Sequence, residues 1–321
     1  MARRGSRSRG PRLGGAGLFL FGLLAGAGIL YLFLSGSPRP PETPEQEGAL
    51  PAPTRAAAQE TGRPPARPAP SDHVEPADPT AAPVRMAAET GPPTPVRGIR
   101  VALVIDDLGR SVGDLDRLEE LDVPVTYAVL PFEEQTPEVV AELRRRGEEM
   151  LLHLPMEPKN GEDPGPGALH RGMSEEELLE KTEAALQAVP GAVGVNNHMG
   201  SGLSTEEGPM STLMRILAGR GLFFLDSRTS AESVAYKTAV RFGLPAAERQ
   251  VFLDGDPSPE AIRAQFLRLL NLARDRGAAI AIGHPYPETL DTLAEEVPKA
   301  KALGYEFVPV SYLLDRPGEI E

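Results

Sequence analysis

The chain has 321 residues, 33 Lys and Arg against 46 Asp and Glu, a net charge of −13, and neither Cys nor Trp. That length allows one large domain or two small ones with an ample core, and the lack of cysteine excludes a disulfide framework, a thiol nucleophile and any Cys-ligated metal site. A metal would have to be held by Asp, Glu and the five His, and the acidic balance argues against a nucleic-acid partner.

In chain order, residues 1–12 are basic, with Arg3, Arg4, Arg7, Arg9 and Arg12. Residues 13–34 carry no charge, a run long enough to cross a bilayer as a helix. The apolar run is longer than that of a cleaved signal peptide, and Leu34-Ser35-Gly36-Ser37 is a poor cleavage site, so the segment reads as an uncleaved signal-anchor. Arginines before the span and none right after it place residues 1–12 in the cytoplasm. The expected location is a single-pass inner-membrane protein with its C-terminal part in the periplasm or outside the cell. From 35 to 97 about a quarter of the residues are proline and branched apolar residues are scarce, which favours a disordered, semi-stiff linker. His73 lies in that stretch and is expected to be inert.

From 98 to 321 the composition is globular. Apolar runs at 99–105, 123–129, 149–153, 192–196, 222–225, 250–253, 278–282 and 306–310 read as strands buried on both faces of a parallel sheet. Helices lie between them. Ser174 with Glu177 forms a capping-box pattern, and Ser258-Pro259 puts Pro at a first helical position. Gly147, Gly221, Gly277 and Gly304 stand just before strands, as glycines that end helices do. The expectation is an α/β fold, a distorted (β/α) barrel of seven or eight strands, with an open doubly wound sheet as the alternative.

The ionisable residues follow the last apolar residue of these strands: Asp106-Asp107, His153, Asn197-His198 with Ser201, Asp226 with Arg228, and His284. That is the end at which barrel active sites lie. Adjacent carboxylates repel unless a cation or proton lies between them. Ser111 and Asp114 supply a capping box for the next helix, so Asp106 and Asp107 are not needed as caps. One carboxylate and two imidazoles with water make a common catalytic zinc site. His170, in the Pro/Gly-rich loop 159–172, reads as a surface residue.

The strings Val104-Ile105-Asp106-Asp107-Leu108-Gly109, His153-Leu154-Pro155-Met156-Glu157-Pro158, Asn196-Asn197-His198-Met199-Gly200-Ser201 and Asp226-Ser227-Arg228-Thr229 together resemble the divergent polysaccharide deacetylase family of the polysaccharide deacetylase superfamily. The resemblance spans 100–314. It implies Asp106 as general base, Asp107 and His153 as metal ligands, His284 as the acid that protonates the leaving group, Asp226 as a carboxylate near that His, and Arg228 as its charge partner or a substrate contact. The superfamily's second imidazole, four residues after the first, is replaced by Glu157. Either Glu157 or His198 then completes the site, and His198 is favoured, with Asn197 and Ser201 orienting its ring or meeting substrate. The implied activity is hydrolysis of acetyl groups on an envelope polysaccharide or peptidoglycan-like glycan by water activated on a divalent metal, most simply zinc. The alternative is a non-catalytic, membrane-tethered carbohydrate-binding or scaffold protein that keeps the barrel.

Overall fold

The computed structural model describes residues 96–315. The basic N-terminus, the apolar run 13–34, His73 and all but the end of the Pro/Ala-rich stretch lie outside the described residues. Among the described residues no helix is long and apolar enough to cross a membrane.

Strands and helices alternate. The first half runs β1 (Arg100–Leu108), α1 (Gly113–Glu119), β2 (Thr126–Val129), α2 (Thr136–Arg146), β3 (Glu149–Met156), α3 (Glu175–Ala188) and β4 (Gly194–Met199). The second runs α4 (Glu207–Ala218), β5 (Phe223–Asp226), α5 (Ala235–Arg241), β6 (Ala246–Glu248), β7 (Val251–Phe252), α6 (Pro259–Arg276), β8 (Ala278–Gly283), α7 (Pro287–Ala302) and β9 (Glu306–Phe307). All eight expected strands are present, and β6 is additional.

The strands form one sheet in the order β6-β5-β4-β3-β2-β1-β8-β7, with β9 beside β1, and every ladder is parallel. Among the described residues no ladder joins β6 to β7. The two are successive in the chain, separated by Arg249 and Gln250. The Arg249 N–H bonds to the Asp226 carbonyl on the β5 side, and the Gln250 N–H to the Ile280 carbonyl on the β8 side. The expected barrel is thus a curled parallel sheet whose two ends are borne by one stretch of chain, not a ring of ladders.

The local signals work as their chemistry dictates. Ser174 and Glu177 form a reciprocal capping box at α3, and Ser258 caps α6 ahead of Pro259. Gly147 and Gly277 end α2 and α6 in the left-handed region, with φ of 76° and 87°, where a Cβ would be strained. The expected capping box of Ser111 and Asp114 does not form. The N-cap of α1 is Val112, with no side-chain cap, and the Val112 N–H bonds to Gln135 Oε1 instead.

Two apolar layers result. The larger packs strand residues such as Val101, Leu103 and Ile105 against helix residues such as Leu115, Leu143 and Phe266. The smaller lines the concave face with Ala102, Val104, Ala128, Leu151, Phe223, Leu225, Ala247, Ile280 and Ile282. Each fully buried large side chain contributes about 1.5–3 kcal/mol, which fixes the strand register and hence which side chains emerge at the strand ends.

Candidate active site

Alternation along a strand sends every second side chain to the concave face. Ala102 and Val104 lie there, and Asp106 is next in that series. Leu151 leads to His153, Leu225 to Ser227, Ala247 to Arg249, and Ile280 and Ile282 to His284. On β4, Asn196 stands in register with His153, and His198 with Pro155. The polar groups are the last layer of the concave core, at the carboxyl ends of the strands.

By the same alternation Asp107 should face away. A break in the β1–β2 register between Ile105 and Leu108, with Asp107 at φ 60°, turns it back toward Asp106's neighbours. Such a backbone costs about 1–3 kcal/mol and persists only where its surroundings hold it. Met199 and Arg228, at the end of β4 and just past β5, have φ of 52° and 53°, so three of the four non-glycine residues with positive φ among the described residues lie at this end of the sheet, Asp122 ahead of β2 being the fourth.

Asp107 Oδ1 lies 2.8 Å from His198 Nδ1 and 3.2 Å from His153 Nε2, and the two ring nitrogens are 3.1 Å apart. The buried Asp107 Oδ1 nevertheless receives no well-directed hydrogen bond. Asn196, fully buried, explains the His153 tautomer. Its amide nitrogen donates to Asp106 Oδ1 at 2.8 Å, and its carbonyl accepts from His153 Nδ1 at 2.9 Å. In the neutral ring, His153 Nε2 is therefore the lone pair, aimed at Asp107 and His198. A carboxylate oxygen and two imidazole nitrogens that converge in this way fit a divalent cation, whose ligands are oriented by a second layer of hydrogen bonds. Among the described residues this is the one cluster of three or more such groups with ligand atoms all within 4.8 Å.

Asp106 lies beside the cluster, with Oδ2 3.6 Å from His153 Nε2. Burial raises its carboxyl above the ordinary range, against the pull of His153 and His284. Burial also opposes ionisation of Asp107, but His198 and His153 hold it well below that range. For His153, burial would lower the ring, and Asp106 and Asp107 more than offset this and raise it.

His284 is held by a carboxylate that sequence reading missed. Asp254, 5% exposed, accepts from His284 Nδ1 at 2.9 Å, from the His284 backbone N–H at 2.6 Å and from Thr289 Oγ1 at 2.8 Å. Burial disfavours the imidazolium, but Asp254, with Asp107 and Asp106 beyond it, raises His284 to about 9. Phe252 meets the ring edge-on at 5.5 Å and Tyr286 stacks on it at 5.2 Å.

Asp226 is not the carboxylate beside His284. Being one step out of the inward series, it accepts from Ser233 Oγ, the Tyr236 N–H and the Arg228 N–H, which ties the loop after β5 to α5. Asn197, which lines the cavity, is tied to the backbone beside it: its carbonyl accepts from the Ser227 N–H, and its amide donates to the Met199 carbonyl. The amide that orients a ligand imidazole is Asn196. Ser201 Oγ accepts from the Lys159 N–H, a link between loops. Of the two residues in dispute, His198 stands in the cluster, whereas Glu157 is paired with Arg171 at 2.6 Å and stands outside it. Burial opposes its ionisation, but the Arg171 hydrogen bonds hold its carboxyl low. His170 is half exposed, 3.6 Å from Glu157.

A cavity opens over these groups, lined among others by Asp106, His153, His198, Arg249, Phe252 and His284. Arg228 also lines it and pairs with Glu248 at 3.4 Å. Arg249, buried and missed in the sequence, donates to the Ser227 and Arg228 carbonyls, so a cation braces the strained turn after β5.

Comparison with known proteins places these features in a group. The model of the family described as divergent polysaccharide deacetylase matches residues 103–314. The uncharacterized protein YibQ of Escherichia coli K12 is 36% identical over 204 residues, which cover 64% of this chain and 64% of that protein. This chain thus matches somewhat under two thirds of YibQ's length. An uncharacterized Haemophilus influenzae protein is 35% identical over 194 residues, 60% of this chain and 69% of that protein. The crystal structure of an uncharacterized Agrobacterium tumefaciens C58 protein has a TM-score of 0.64 at 29% identity, covering 69% of this chain and 92% of that one.

Proposed function

The chain belongs to the divergent polysaccharide deacetylase family, and from that membership we propose that it is a metal-dependent hydrolase that removes acetyl groups from an acetylated envelope polysaccharide, with zinc as the ion. The observation that carries the reading is the convergence of Asp107, His153 and His198 on one point, with Asp106 and His284 in the wall of the same cavity.

When bound there, a divalent cation lowers the pKa of a water and polarises the acetyl carbonyl. Asp106, oriented by Asn196, takes a proton from the attacking water as the oxygen–carbon bond forms. His284 is protonated at neutral pH, given its pKa of about 9. Its Nδ1 is bonded to Asp254, so the proton it gives comes from Nε2 and goes to the departing nitrogen as the carbon–nitrogen bond breaks. The products are acetate and a free amino sugar. Asn197 and Arg228, which line the cavity, are the residues of the expected substrate-binding set that remain candidates; Ser201 serves the loops. Residues 13–34 tether the domain to the cytoplasmic membrane, and the Pro-rich stretch to 97 lets it reach the glycan.

The test is acetate release from N-acetylglucosamine oligosaccharides and from peptidoglycan by the metal-loaded chain. Asp106→Asn and His284→Ala are each expected to lower the rate by about 100-fold or more, with metal content kept. A natural chain that binds metal and glycan yet releases no acetate would make the protein a binding module instead.

A further inference from the structure

His284 follows β8 and is itself followed by Pro285-Tyr286-Pro287. A proline disfavours helical backbone in the residue before it, so Tyr286 is extended, at φ −70° and ψ 143°, and Pro287 opens α7. Tyr286 is therefore the N-cap residue of that helix, a place where Ser, Thr, Asp or Asn would bond the free N–H groups. Its side chain makes no such bond. The position forgoes a cap and presents an aromatic ring instead, and a local rule broken in this way is expected at functional sites.

The ring goes to His284. The two rings are stacked, with centroids 5.2 Å apart and planes 21° from parallel, inside the range of offset aromatic pairs. Phe252 meets the imidazole edge-on at 5.5 Å and 88°, and the Arg249 guanidinium lies 4.8 Å from the centre of the Phe252 ring. Asp254 holds Nδ1, but one hydrogen bond is a pivot, and rotation about the bond from Cβ to an imidazole is soft. A ring that swings about Nδ1 carries Nε2 through an arc. A flat neighbour against its face removes that freedom, and the face of a tyrosine also attracts a cation. Tyr286 borders the cavity lined by Asp107 and His198 as well, so the stack stands beside the proposed metal cluster.

We propose that Tyr286 is a positioning residue: its ring, stacked on His284, keeps Nε2 on the line along which the proton leaves for the departing nitrogen. Phe252 supports the same pose from the edge. The proposal rests on the reading of His284 as the acid, and adds to it what keeps that acid aimed.

The experiment compares Tyr286→Leu and Tyr286→Phe in the zinc-loaded full chain. Tyr286 is only partly buried, so neither change opens a hole in the core. Leucine removes the flat face, whereas phenylalanine keeps it without the hydroxyl. With N-acetylglucosamine oligosaccharides, Tyr286→Leu is expected to lower kcat by about 3- to 10-fold, the worth of one aromatic pair, with KM within about twofold and metal content kept. Tyr286→Phe should stay within about twofold of the natural kcat. With para-nitrophenyl acetate, whose leaving group departs as a phenolate and needs no proton, all three chains should hydrolyse alike. A loss that is equal on both substrates overturns the proposal, as does an undiminished kcat in Tyr286→Leu or a loss that Tyr286→Phe shares. A second readout needs no turnover. In NMR of the full chain labelled at histidine, the His284 Nδ1–H should exchange with water at least about threefold faster in Tyr286→Leu than in the other two chains. Unchanged exchange overturns the positioning role whether or not acetate is released. Faster exchange in a chain that releases no acetate from any substrate would keep the hold on His284 and sink the deacetylase reading.

Discussion

Asn196 offers the sharpest perturbation, because one neutral amide joins the proposed base to a proposed ligand. Asn196→Ala leaves Asp106, 3% exposed, without its donor at 2.8 Å; an unmade hydrogen bond to a buried charged group costs about 1.5–3 kcal/mol. The His153 Nδ1–H loses its acceptor at 2.9 Å, about 1 kcal/mol more, and the small void adds a comparable amount. The expected loss of folding stability is about 3–5 kcal/mol in urea denaturation of the metal-free chain. Without the Asn196 carbonyl, His153 is free to carry its proton on Nε2, so zinc affinity by calorimetry should fall about 10- to 100-fold. Asn197→Ala is the matched control. It removes the same amide one residue later, where the partners are Ser227 and Met199, and should cost stability while zinc affinity stays within about threefold. If Asn196→Ala binds zinc like the natural chain, or if the two variants weaken binding alike, the assignment of Asn196 is wrong.

Other outcomes follow from the same geometry. In the metal-free protein His284 titrates at about 9; raised above its ordinary value, it gives stability that is complete below about 6.5 and lost as pH rises through about 9. Asp254→Asn should bring that titration down, as read by NMR of the ring, and shift the alkaline limb of acetate release to lower pH. Because His153 is raised by Asp106 and Asp107 once burial is offset, protons should compete with the cation, and zinc affinity should weaken as pH falls through neutrality. An affinity that is flat with pH would speak against an imidazole ligand. Gly194→Ala places a Cβ 2.6 Å from the Phe223 ring, and should cost about 1–3 kcal/mol, or about 2–4 °C in Tm per kcal/mol.

Much of this was legible in the sequence for a physical reason. Strands buried on both faces leave polar side chains only at their ends, so Asp106, Asp107, His153, His198 and His284 stood out as interruptions of apolar runs. The errors came from ignoring alternation within those runs. Counting by two from Ala102, Leu225 and Ile280 admits Asp106, Ser227 and His284 and sends Asp226 outward, which is where it bonds α5. Asn196 and His198 share a face that Asn197 does not. Asp254 follows Leu253, the last apolar residue of its strand run, just as the other site residues do, but it opens Asp254-Gly255-Asp256-Pro257, residue types that equally favour a turn. Strand β6, Ala246–Glu248, has no branched apolar residue and gave no signal. The turn of Asp107 into the site depends on a register break that needs β1 and β2 side by side, and no single run of residues reveals it. Likewise Ser111 and Asp114 had the right types for a cap, but the Gln135 side chain took the backbone N–H instead.

The central claim is that Asp107, His153 and His198 hold a divalent cation and Glu157 does not. The most direct measurement is metal stoichiometry and affinity of the full chain beside His153→Ala, His198→Ala and Glu157→Ala. The account requires close to one equivalent bound by the natural chain, loss of that metal with either histidine, and retention without Glu157, whose partner is Arg171. A natural chain that takes up no metal, or one that loses it with Glu157 and keeps it without His198, would contradict the account.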